Sequence, residues 1–148
     1  MSSIRIDQSC PPIVLTVFNG KQTEKDVARY IRDMDAMYAR GAHYIGISLM
    51  LEYAPDRGQL RRVAEWARDT EQVTSRLCLC NAIVAPAVGF RFLLSSFLMI
   101  QPMPMRYTVV ANIEEAADWV TRELAAKSMR APPGMREYLR AQMSREGR

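Results

Sequence analysis

Two apolar runs of strand length, residues 43–51 and 77–85, constrain this chain more than any other feature. The first contains Tyr44-Ile45-Gly46-Ile47-Ser48-Leu49-Met50-Leu51, the second Leu77-Cys78-Leu79-Cys80-Asn81-Ala82-Ile83-Val84-Ala85. Neither shows the polar alternation of a half-exposed strand, which predicts strands covered on both faces and hence a largely parallel sheet. Between them Pro55-Asp56 opens a helix, with Asp56 as cap, Gln59 three residues on, and an apolar stripe of Leu60, Val63, Ala64 and Ala67. Two buried strands joined through a helix are the unit of an α/β domain.

The flanking sequence repeats this unit. Ile4-Arg5-Ile6 alternates, and residues 13–18, rich in β-branched side chains, end at Asn19-Gly20, so two strands joined by a turn begin the chain. Thr23 can cap a helix striped by Val27, Ile31, Met34 and Tyr38, with Gly41 in the stop position. Residues 88–100 form a third helix, apolar almost all round and ended by Pro102 and Pro104; residues 105–111 supply a further strand. Asn112 and Glu115 resemble a capping box for a fourth helix, striped by Ile113, Ala116, Ala117, Val120 and Leu124. The reading is an α/β domain over residues 1–127, with five strands in a largely parallel sheet and four helices. Residues 128–134, with Pro132-Pro133, read as a linker. The tail 128–148 is then partly disordered or a short amphipathic helix, since an isolated helix under ~12–15 residues is marginal in water.

Composition narrows the class. The 148 residues are 49% hydrophobic and 24% charged, which suits one globular domain able to build a core without staples. Three cysteines, Cys10, Cys78 and Cys80, are a sparse and odd set that fits a reducing compartment. The N-terminus lacks a signal-peptide pattern, and the run 92–100 falls short of the ~20 residues of a membrane span, so a cytoplasmic protein is expected. The net charge of +4 is concentrated at one end: residues 128–148 carry +3 and the rest +1. No nucleic acid is expected as a partner of the near-neutral body. The tail could order in an acidic groove of a protein partner through Met135, Arg136, Tyr138, Leu139, Arg140 and Met143, or, with less support, on an anionic membrane; the remaining alternative is a tail that is solvated or packed on its own domain.

Chemistry-bearing patterns are few. His43 is the single histidine, at a strand boundary, and no glycine-rich cradle for a dinucleotide or triphosphate is present. Cys78-x-Cys80 puts two thiols on one strand face, short of the four ligands and loop spacing of a zinc site. Glu114-Glu115 and Asp33/Asp35 fall on solvated helix faces. Catalytic residues, metal and cofactor are therefore all expected to be absent. Residues 88–100 carry more apolar surface than one sheet can cover. Phe90, Leu94, Phe97 and Leu98 are the candidates for an interface with a second copy, or for an apolar pocket that Met99, Met103 and Met105 could also line.

With these elements in place the chain resembles the STAS-like family, in its SpoIIAA-like branch related to anti-sigma-factor antagonists. The resemblance spans residues 12–126. It rests on residues 12–20 with Thr23 ahead of a helix, the central strand within 41–50, Ala64-Glu65-Trp66, Gln101-Pro102-Met103-Pro104, and Glu115-Ala116-Ala117-Asp118-Trp119. It implies a small mixed sheet flanked by helices and a non-enzymatic role in protein–protein regulation. In the antagonists, a serine in the turn after the central strand is phosphorylated by a partner kinase. The matching turn here is Tyr53-Ala54-Pro55-Asp56-Arg57-Gly58, with Arg57 where the hydroxyl would stand, so no phosphoserine switch is expected.

The functional expectation is thus a regulatory or scaffolding module that binds another protein, with Tyr53, Asp56, Arg57 and Gly58 as the partner-binding turn. The alternative is a carrier or sensor of a lipid-like apolar molecule beneath the 88–100 helix. An enzyme is the reading these residues favour least.

Overall fold

A computed structural model describes residues 3–147; Arg148, counted in the basic tail, lies outside them. Five strands form one sheet in sequence order: β1 (Ile4–Asp7), β2 (Ile13–Gly20), β3 (Tyr44–Tyr53), β4 (Cys78–Val84) and β5 (Tyr107–Val110). β1 is antiparallel to β2 and every other pair is parallel. Because β2 to β5 lie side by side in sequence order, same-handed crossovers put the connecting helices on one face. These are α1 (Glu24–Arg40), α2 (Arg57–Asp69) with α3 (Glu71–Leu77), and α4 (Val88–Ile100). The opposite face is covered by α5 (Ile113–Ala126) and α6 (Met135–Glu146).

The caps fall where the side chains dictate. Thr23 and Asp26 form a reciprocal capping box on α1, and Gly41 stops that helix in the left-handed region at φ 70°, its N–H donating to Tyr38 O. Asp56 and Gln59 do the same for α2. Asn112 Oδ1 accepts from Glu115 N–H, while the Glu115 carboxylate turns back to Ala111 N–H and the Asn112 side-chain amide rather than to the Asn112 backbone N–H.

The α5/α6 face holds the main core. Ile13, Leu15 and Val17 of β2, Ile45, Ile47 and Leu49 of β3, and Cys80, Ala82 and Val84 of β4 pack under Ala116, Ala117, Val120 and Leu124 of α5. Met135 and Leu139 of α6 complete the same cluster. Of the readings open for the tail, a partly disordered segment or a short amphipathic helix, residues 135–146 take the second, and the helix joins the core. Arg5 bonds Gln142 and Glu146, Tyr138 O–H donates to Asp7, and Arg136 and Arg140 pair with Glu114 and Asp118 of α5. The amphipathic spacing of residues 135–143 reflects this docking on their own domain; sequence alone left the destination of that apolar side open.

The other face is packed less completely. Val14, Met34, Met37, Tyr38, Tyr44, Leu77 and Cys78 form a smaller cluster under α1 and α3. The expected α2 stripe is not buried: Leu60 is 47% exposed, and Ala64 and Ala67 are exposed too. On α2 it is Gln59 that is buried, while α2 leans over a gap in the sheet cover rather than against the sheet. A separate helix, α3, occupies residues given no element from sequence and takes in Leu77, read there as the start of the apolar strand run. Thr70 divides it from α2, its hydroxyl and N–H both turned back on Trp66 O.

Candidate functional site

Between α1–α3 on one side and α4 with the 101–105 loop on the other lies a cavity of about 560 Å³. This is the size range of small-molecule sites. Its floor is the middle of the sheet, where Val14, Thr16, Tyr44, Gly46, Ser48 and Asn81 face it. Strand register explains their convergence: Thr16 lies opposite Ser48, and Gly46 opposite both Val14 and Asn81. The alternate positions of the same strands, Leu15, Ile45, Ile47 and Ala82, supply the core on the other face.

The walls differ. On the helix side Tyr38 stacks on Trp66 with centroids 6.0 Å apart, and Tyr30 meets Trp66 edge-on at 5.7 Å. Tyr38 O–H lies 3.3 Å from Tyr44 O–H and 2.8 Å from Thr74 Oγ1, a chain of hydroxyls at the edge of the floor. Burial, then the neighbouring Cys78 and Tyr38, holds the Tyr44 phenol far above its ordinary range, so it stays protonated. Burial also pushes the Cys78 thiol up to about 11 and Cys80 to about 12, which makes neither a nucleophile at neutral pH. The opposite wall is Phe97, Leu98, Met103 and Met105. The charged residues that line the cavity, Arg68 and Glu71, are exposed.

The sequence-predicted residues are distributed over three places. Phe97 and Leu98 reach the cavity; Phe90 sits 6.4 Å from Tyr53, and Leu94 is half-buried. Tyr53 is not a free contact residue but the middle ring of a series, 5.2 Å from Phe18 on its other side. Asp56 is engaged as the α2 cap, while Arg57 and Gly58 are exposed. The turn is pinned from below by two buried glutamines that sequence reading did not connect. Gln59 Nε2 donates to Gln22 O, and Gln22 Oε1 accepts from Ala54 N–H. Met135 and Leu139 are buried in the core, Arg136 and Arg140 are ion-paired, and Tyr138 and Met143 are half-buried against the domain.

Thr16, Ser48 and Asn81 were not singled out from sequence. A signal was present: small or polar residues recur on one phase of three adjacent strands that otherwise read as apolar. His43 is exposed at the start of β3, and no three of His, Cys, Asp and Glu gather as a metal site among the described residues.

α4 itself is held at both ends. Arg91 Nη1 donates to Ala85 O and Pro86 O, and Tyr107 O–H donates to Leu98 O. Its outward side exposes Val88, Phe92, Leu93, Met99 and Ile100. No helix among the described residues is long and apolar enough to cross a membrane.

The fold has counterparts among solved structures. An uncharacterised DUF3478-family protein with a SpoIIAA-like fold, from Shewanella loihica PV-4, superposes with a TM-score of 0.61 at 12% identity. The match covers 78% of this chain and 90% of that one. The fold is SpoIIAA-like. The Bacillus cell-fate determinant SpoIIAA in its phosphorylated form matches with a TM-score of 0.52 at 18% identity, over 79% of this chain and 98% of that one. Searches against family models and against curated proteins return no match. Within the SpoIIAA-like fold, the turn after β3 here is Asp56-Arg57-Gly58, with no hydroxyl at any of the three positions.

Proposed function

We propose that this chain is a non-enzymatic regulatory or scaffolding module that binds another protein through α4, without a phosphoserine switch. The observation that carries the reading is the outer side of α4, where Phe92 is 71%, Leu93 67% and Ile100 82% exposed on a single helix. Contiguous apolar surface of this kind on a water-soluble fold marks an interaction site, and aromatic side chains make effective anchors in one. A second copy of the chain is among the partners such a face accepts.

The test is affinity capture from the source cells, with differently tagged copies of the chain to register self-association. Wild type is compared with the double variant Phe92→Asp/Ile100→Asp; both positions are exposed, so the fold should survive, and a thermal melt checks that it does. A protein recovered by wild type and lost from the variant supports the reading. An identical set recovered by both, with no self-association of wild type, overturns it.

A further inference from the structure

The floor of the cavity has polar groups that the protein does not use. A sheet covered by helices on both faces is ordinarily apolar across its middle. Here Thr16 and Asn81, only 5% and 8% exposed, and Ser48 between them interrupt that surface on three adjacent strands. Among the described residues the hydroxyls of Thr16 and Ser48 have no hydrogen-bond partner, and the Asn81 side-chain amide has only the Met103 thioether, Nδ2 to Sδ at 3.6 Å. Such groups would be costly if sealed in. They are not sealed: no fully buried side-chain oxygen or nitrogen lacks a partner among the described residues, so these atoms open onto the cavity.

Gly46 strengthens the point. A Cβ at residue 46 would lie 2.5 Å from Asn81 Oδ1, so the bare backbone is what lets the Asn81 amide lie across the floor. Apart from the Tyr44 phenol, already paired with Tyr38, the floor therefore offers two hydroxyls and one carboxamide, able both to donate and to accept, beneath aromatic and thioether walls.

From this we infer that the cavity is a binding site for an uncharged small molecule with a flat or apolar body and one hydrogen-bonding end, that end seated on Thr16, Ser48 and Asn81. Charge chemistry sets the class. The floor holds no charged side chain, and the phenol at its edge stays protonated. A carboxylate or phosphate seated on the floor would leave water with no cation beside it, since the charged lining residues, Arg68 and Glu71, are on the exposed helix side. A purely hydrocarbon occupant would leave the three floor groups without partners. The site goes beyond the α4 interaction reading and does not depend on it, because the exposed side of α4 faces away from the cavity that Phe97 and Leu98 line.

The probe is prodan, a neutral naphthalene dye whose carbonyl accepts hydrogen bonds and whose emission reports polarity. The expected result is one dye per chain, blue-shifted emission and quenching of Trp66 in the wall. Ala67→Trp, on the exposed mouth of the cavity, should weaken binding by about tenfold or more, equivalent to the loss of about 1.4 kcal/mol. Thr16→Val/Ser48→Ala should also weaken it, by removing both hydroxyls. Ile100→Glu, on the outer side of α4, should leave it within about twofold, as a distant surface change does. Absence of one-to-one binding overturns the inference. Binding lost in Ile100→Glu yet retained in Ala67→Trp also overturns it, by assigning the dye to the exposed helix, and would leave the protein-interaction reading standing.

Discussion

The side-chain amide of Asn81 in β4 lies across Gly46 in β3, so close that a methyl group at residue 46 would stand 2.5 Å from Asn81 Oδ1. Gly46→Ala should therefore displace the amide and destabilise the fold by about 1–3 kcal/mol, the usual range for overpacking. Adding Asn81→Ala should recover part of that loss, because the clash partner is then gone. Urea denaturation of the two single variants and the double variant measures the coupling; strictly additive effects would mean that the two side chains do not meet.

Residues 135–146 are expected to behave as part of the domain. Leu139 is 1% exposed within the main core, so Leu139→Ala should cost about 2–5 kcal/mol and lower the melting temperature sharply. A melting curve indistinguishable from wild type would restore the picture of a detached tail.

Asp7 ties β1 to α6 and gives this docking a pH dependence. Burial raises its pKa, but bonds from Ser9 and Tyr138 outweigh this and hold it below the ordinary value of 3.8. A carboxylate depressed on folding stabilises the protein above its unfolded pKa, and that stabilisation fades as pH falls through the lower, folded value. Asp7→Asn should thus be less stable than wild type at neutral pH, with the difference shrinking as acid brings the medium below pH 3.8. Melting temperatures of the pair across a pH series test the sign; a gap that widened in acid would contradict it.

The turn after β3 separates a structural residue from an exposed neighbour. Asp56→Ala removes a reciprocal cap and should cost about 1 kcal/mol. Arg57→Glu, next to it and exposed, should stay within about 0.5 kcal/mol of wild type. If it also leaves every captured partner in place, the turn is not the binding face.

Local signals carried much of the fold. The capping side chains Thr23 and Asp56, the Gly41 stop and the five strands are legible because each depends on residues a few positions apart. The α2–α3 break at Thr70 was not legible, since its cause, a hydroxyl turned back on the helix, leaves no periodicity. The cavity was half legible. The surplus apolar surface of residues 88–100 pointed to a space beneath them, but its polar floor required knowing that Thr16, Ser48 and Asn81 share one face in register.

What the sequence determined by itself is the alternation of strands and helices and the apolar phase of each, because backbone hydrogen bonding and side-chain periodicity are short-range. Only the tertiary structure decided which faces those phases meet. The apolar spacing of residues 135–143 would suit a groove on a partner as well as α5, and it is the tertiary contacts, apolar packing with the ion pairs of Arg136 and Arg140, that chose α5. Likewise Leu60, Ala64 and Ala67 satisfy a buried-helix pattern, yet they stand away from the sheet because α2 spans a gap that α4 does not fill. The physical reason is common to both: a hydrophobic stripe specifies that it should leave water, and says nothing of what it should meet.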